Sequence, residues 1–112
     1  MIYKILEANE WATAQASGHV GGSADDRRDG FIHLSAADQV VETARRHFAD
    51  RSGLVLLTVD DGLLGQHLRW EESRGGALFP HLYGPLPVSA VVAVDRLPDQ
   101  VSAADGITAL LG

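Results

Sequence analysis

Proton-handling chemistry in this chain would fall to histidine: five are present and cysteine is absent. Thiolate nucleophiles, thiolate metal sites and disulfides are therefore excluded. His33 lies in Gly30-Phe31-Ile32-His33-Leu34-Ser35, an apolar run ending on a hydroxyl where a helix is expected to open. Strand alternation turns its ring to the face opposite Ile32 and Leu34. An imidazole there can donate and accept a proton, and a structural histidine tying the strand to its neighbour would give the same pattern. Ser35 reads as a helix N-cap, and a helix N-terminus can also offer its amides to an anion. His81 sits in Phe79-Pro80-His81-Leu82-Tyr83-Gly84-Pro85, where rings, prolines and glycine fix the backbone as either a binding wall or a turn. His19, His47 and His67 fall in polar or helical contexts and read as surface residues.

A second cluster is Arg69-Trp70-Glu71-Glu72-Ser73-Arg74-Gly75-Gly76. Arginine makes bidentate contacts to phosphate or carboxylate, and Trp70 would offer a stacking surface. A salt-bridged hairpin end with Trp70 in the core is the competing explanation. The spacings HxH, HxxxH and HExxH are absent, so no metal site is expected. Walker, GxGxxG and GxSxG motifs are absent as well.

At 112 residues, 46% of them apolar, the chain can build one packed domain and is too short for two. No apolar run approaches the roughly 20 residues of a membrane span. Met1-Ile2-Tyr3-Lys4-Ile5-Leu6 lacks the tripartite pattern of a signal peptide, so a cytoplasmic protein without a membrane partner is expected. A net charge of −6 argues against extended nucleic-acid binding, which draws on Lys and Arg. Arg27-Arg28, Arg45-Arg46, Arg69 and Arg74 cluster, so a local basic pocket on an acidic body would suit a small anionic, nucleotide-like ligand. No pattern specifies an oligomeric state.

The elements that must position these residues follow from periodicity. Residues 2–6 read as a strand, and Asn9 as the cap of a short helix over 10–16 that stops at Gly18. The charged, glycine-bearing stretch 19–29 reads as a mobile loop. A strand over 31–34 leads into a helix over 36–48, capped by Ser35 with Asp38 as a short-armed capping box. Its apolar stripe is Ala37, Val40, Val41, Ala44 and Phe48. The continuous apolar run 54–59 is a buried central strand, 63–67 a helical turn, and 68–71, 78–83 and 91–94 extended segments. One domain is expected over 1–97, with 98–112 a tail, frayed or carrying a short helix. The class is α+β: a single domain with a split mixed or antiparallel β-sheet and two main helices.

Tyr3-Lys4, Gly30-Phe31-Ile32-His33-Leu34-Ser35, Arg69-Trp70-Glu71 and Phe79-Pro80-His81-Leu82-Tyr83-Gly84-Pro85-Leu86 resemble the bacterial family called domain of unknown function 952. More distantly, His33-Leu34-Ser35, the helix with Ala44-Arg45-Arg46-His47 and the strand over 54–59 resemble the second half of RNA 2′-phosphotransferases. Those belong to the ADP-ribosyltransferase fold, a split sheet around a cleft that holds NAD. That likeness implies His33 at the second signature position, Ser35 near the nicotinamide and Arg46 as an anion-binding arginine. It also implies substrate entry between the first strand and the His33 strand. The first signature position, usually histidine, falls on Lys4 beside Tyr3, and Glu71 is the candidate for the third by chemistry.

The expected function is binding of a nucleotide-like anion in a cleft around His33, extending to ADP-ribosyl transfer from NAD or related phosphate transfer. His33, Glu71 and His81 form the expected catalytic set. Tyr3, Lys4, Ser35, Arg46, Trp70, Arg74 and Tyr83 form the expected ligand set. NAD is the only cofactor implied. Two other classes carry weight: a noncatalytic metabolite-binding module, and a protein-interaction domain using an apolar patch around Trp11 or the proline-rich turn.

Overall fold

The computed structural model describes residues 1–112 apart from the side chain of Arg74. In chain order the elements are β1 (Ile2–Glu7), α1 (Ala8–Ser17), β2 (His19–Val20), α2 (Ala24–Asp29), β3 (Ile32–His33), β4 (Ser35–Ala36), α3 (Val40–His47), β5 (Leu54–Val59), β6 (Leu68–Glu72), β7 (Leu78–Leu82), β8 (Leu86–Pro87), β9 (Val91–Arg96) and α4 (Ala103–Leu111). Every strand pair is antiparallel. Three sheets form, in the orders β4-β1-β5-β9, β2-β8 and β3-β7-β6. The class is α+β, as expected; of the mixed or antiparallel alternatives the strands take the antiparallel one, in three sheets rather than a single split sheet, and there are four helices rather than two main ones.

The four-stranded sheet is the centre of the core. β5 is apolar on both faces because both are covered. Val55, Leu57 and Val59 pack with Ile2, Leu6 and the small sheets. Leu54 and Leu56 pack with Ile5 and with Val40, Ala44 and Ile107 of α3 and α4. The C-terminal stretch is anchored by α4, where Ile107 is fully buried and Ser102 accepts a hydrogen bond from the Asp105 amide. Trp11 packs against the first of these clusters and is partly exposed.

Three local expectations give way, each for a physical reason. The stretch 19–29 is not a loop throughout: it carries β2 and the six-residue α2. Ser23 and Asp26 close a capping box there, and Gly30, at φ 84°, ends the helix in the left-handed region. Ser35 is not a cap, and the helix after it begins later than expected. Ser35 is drawn into β4 opposite Tyr3, while residues 36–39 form a turn in which the Gln39 side chain accepts from the Ala36 amide. The cap of α1 is Glu7 rather than Asn9, with the Glu10 side chain accepting from the Glu7 amide.

The split that matters lies beside β1. β5 pairs with it along its whole length, but β4 pairs only with Ile2 and Tyr3. Beyond Tyr3 the other edge of β1 is open, and β3 diverges to pair with β7.

Candidate functional site

A cavity of about 300 Å³ occupies that opening. β1 supplies Tyr3, Lys4 and Ile5; α2 supplies Asp25, Asp26, Arg28 and Asp29; α3 contributes Thr43 and His47. His33 and Ser35 line one side, and Phe79 and His81 of β7 close the wall.

Alternation along β1 puts Lys4 on the same face as Ile2 and Leu6, so its ammonium enters the protein interior. It is 7% exposed. A charge so placed must be paired and hydrogen-bonded, and Asp26 meets it. Lys4 Nζ donates to Asp26 Oδ2 at 2.8 Å and to the His33 carbonyl at 3.0 Å. Asp26 also accepts from the Ser23 amide at 2.9 Å, the His33 amide at 3.0 Å, and stands 2.6 Å from His33 Nδ1. Burial by itself would raise the Asp26 pKa. The hydrogen bond with His33 and the charge of Lys4 outweigh it and hold the carboxyl well below the ordinary range. One carboxylate thus fixes the α2 N-terminus, the open edge of β1 and the ring of His33.

His33 faces a second carboxylate. Its Nε2 lies 3.0 Å from Asp29 Oδ2, and both of these side chains are about one-third exposed, at 38% and 32%. Arg28 holds Asp29 from the other side, Nε donating to Oδ1 at 3.0 Å. That hydrogen bond is the main reason the Asp29 pKa is lowered.

His81 is directly opposite His33 in the β3–β7 ladder, with ring centroids 5.7 Å apart. Its side chain is 6% exposed. Nδ1 stands 2.9 Å from Glu71 Oε1, which also accepts from the Tyr83 hydroxyl at 2.7 Å. Phe31 stacks on the His81 ring at 4.0 Å. The Tyr83 hydrogen bond, followed by that of His81, lowers the Glu71 pKa, and the same bond to Glu71 raises that of Tyr83. Among the described residues, Nε2 of His81 has no hydrogen-bond partner. His81 lines the cavity and Glu71 does not.

Of the sequence-selected residues, Tyr3, Lys4, His33, Ser35 and His81 therefore meet at one cavity. Glu71 and Tyr83 stand behind His81. Ser35 is buried and its hydroxyl shares a 2.9 Å hydrogen bond with Thr43. Arg46 lies elsewhere, exposed on α3 and ion-paired with Glu42. Trp70 is 45% exposed on β6 and does not line the cavity. The backbone of Arg74 forms a tight turn with Gly75 and Gly76, and its side chain lies outside the described residues. Sequence reasoning missed Asp26, Asp29, Thr43 and Phe48 as cavity residues; Arg28, from the Arg27-Arg28 cluster, lines the cavity, and His47 is exposed as expected while also bordering it. The Ser23-to-Asp26 spacing was the available signal for α2. Among the described residues no group of three or more His, Asp or Glu could hold a metal ion, and no helix is long and apolar enough to cross a membrane.

A family model described as "Protein of unknown function (DUF952)" matches residues 5–94. The chain belongs to this family. Among solved structures, the DUF952 chain is similar to the crystal structure of protein CC0527 from Caulobacter crescentus. The two share 50% identity over 96% of this chain and 97% of that one, with a TM-score of 0.88. A solution NMR structure of CC0527 is 53% identical, covering 94% of this chain and 88% of that one, with a TM-score of 0.79. No curated protein matches this DUF952 chain.

Proposed function

We propose that the cleft between β1 and β3 binds a small nucleotide-like anion and that His81 acts there as a proton acceptor. The observation that carries this reading is the His81 environment. A buried imidazole has one nitrogen fixed by Glu71 and the other unpartnered among the described residues, on the wall it shares with His33. An unsatisfied buried polar atom is costly, and such atoms concentrate where a ligand completes the bonding. Tyr3 and Phe48 line the cavity with aromatic rings and His47 is exposed beside it, while Arg28 and His33 line it already paired with Asp29.

A cavity near 300 Å³ is at the small end for ligand sites, so it accommodates one ring and its adjoining phosphate rather than a whole dinucleotide. If the ligand is NAD, one half extends past the rim. The distant likeness to ADP-ribosyltransferases adds the expectation that transfer follows binding. His33 would then orient the ligand, and His81 would take the proton of an attacking hydroxyl. A noncatalytic metabolite sensor is the second reading. It is favoured by Lys4 and Ser35, whose polar groups are already engaged with Asp26 and Thr43.

Calorimetric titration with NAD and with ADP, on the parent and on His33→Ala, tests binding, with circular dichroism confirming that the variant is folded. Binding by the parent and its loss in the variant support the cleft. Nicotinamide release from NAD, abolished in His81→Gln, then separates a transferase from a sensor. Absence of binding to either compound up to millimolar concentration would overturn the nucleotide reading.

A further inference from the structure

The two carboxylates around His33 are not equivalent. Asp26 is 3% exposed and accepts hydrogen bonds from Lys4, from the Ser23 amide and from the His33 amide besides facing the His33 ring. Nothing entering the cavity would displace it. Asp29 is tied only by side chains that are themselves exposed, Arg28 at 68% and His33 at 38%. Exposed ion pairs of this kind contribute little to stability and exchange readily.

The geometry around Asp29 is that of an oxyanion site. The Arg28 fork approaches both oxygens, Nε to Oδ1 at 3.0 Å and Nη2 to Oδ2 at 3.4 Å. His33 Nε2 approaches Oδ2 at 3.0 Å. A planar guanidinium and an imidazole converging on one pair of oxygens match carboxylate and phosphate alike. Asp29 also resolves a difficulty of charge. Asp25, Asp26 and Asp29 line the cavity against Lys4 and Arg28 as the permanent cations, which disfavours an incoming anion while Asp29 stays in place.

We propose that Arg28 and His33 Nε2 form the phosphate subsite of the cleft, and that the Asp29 carboxylate is a built-in occupant which the ligand's phosphate displaces. This rests on the anion-binding reading above. Asp29 sits at the C-terminal end of α2, two residues short of Phe31, so swinging its side chain outward breaks only the three contacts described, two to Arg28 and one to His33.

The test is titration with inorganic phosphate, followed by the imidazole nitrogen resonances of His33, on the parent, Asp29→Asn, Arg28→Ala and Asp25→Asn. Asp29→Asn should bind phosphate roughly fivefold more tightly, as expected when competition worth about 1 kcal/mol, the upper level of one exposed ion pair, is removed. Arg28→Ala should weaken binding by a similar factor. Asp25→Asn is the charge control, since Asp25 lines the cavity and touches Arg28 but not His33. It should stay within about twofold of the parent if net charge alone contributes little. Equal or weaker binding by Asp29→Asn overturns the proposal, as does equal tightening by Asp25→Asn. If the parent binds phosphate and Asp29→Asn binds no better, the anion reading survives and only the displacement fails. If neither binds, both fail. Acetate in place of phosphate identifies the class: comparable affinity would assign the subsite to carboxylates and overturn its assignment to phosphate.

Discussion

Replacing Asp26 with Asn is the sharpest probe of how the site is held. The change preserves volume but leaves the Lys4 ammonium, 7% exposed, without its counter-charge. It also substitutes an amide donor for an acceptor facing Lys4 and His33. Removing one partner of a buried pair costs about 3–5 kcal/mol. At the lower figure, a chain of this size should lose about 12 °C in melting temperature, taking about 4 °C per kcal/mol. Lys4→Met together with Asp26→Asn removes both charges, and the double variant should cost at least about 2 kcal/mol less than the summed single costs. Urea unfolding of all four proteins at neutral pH measures each term. The sign of the pH dependence follows from the depressed Asp26 pKa. Its stabilisation is complete above the unfolded-state value of about 4 and is lost as pH falls through the lower folded-state value. The parent's advantage over Asp26→Asn should therefore be constant near neutrality and shrink only below about pH 4. A single-variant cost under about 1 kcal/mol, the level of an exposed pair, or strictly additive costs would refute the reasoning.

Three further outcomes are expected. Glu71→Gln should bring the Tyr83 hydroxyl down to a more ordinary titration range, because the hydrogen bond to Glu71 is what raises it; an absorbance titration that stays put would contradict the Tyr83–Glu71–His81 chain. Gly22→Ala should destabilise by more than about 1 kcal/mol, since φ is +94° and a Cβ would meet Asp26 Cβ at 2.9 Å; Gly21→Ala, with open space around it, should stay within about 0.5 kcal/mol, and equal thermal shifts would count against the packing described. Ile107→Ala should cost about 3 kcal/mol because the residue is fully buried in α4, whereas Leu110→Ala, at 45% exposure, should cost far less; comparable costs would mean that α4 does not close the core.

Much of the fold was legible wherever a single period dominated. The apolar run of β5 announced a strand covered on both faces, and the Val40–Ala44 spacing announced the buried face of α3. The His33 and His81 segments stand out in the sequence, and the β3–β7 ladder sets the two histidines opposite each other. The parts that were not legible are those set by tertiary pairing. Ser35 looks locally like a helix cap, but pairing with Tyr3 across two strands overrides that preference. α2 has no apolar stripe because its one inward residue is a carboxylate, and it is held by a capping box and a lysine 22 residues away. Arg46 has the right chemistry for an anion, yet helical geometry sends it to Glu42 on the outer face. Arg28 and Asp29 fall in the stretch that reads as a loop, and only the fold of α2 against β3 brings Asp29 to His33.

The most direct measurement is a two-dimensional amide spectrum of the labelled protein titrated with ADP. A ligand seated in the cleft between β1 and β3 should move the resonances of Lys4, Asp29, His33 and His81 together, with a common affinity, and leave those of Val92 and Val94 on β9, at the edge of the four-stranded sheet and outside the cavity lining, unmoved. Shifts centred on Val92 and Val94, or none anywhere at millimolar ADP, would contradict the cleft as the nucleotide-binding site.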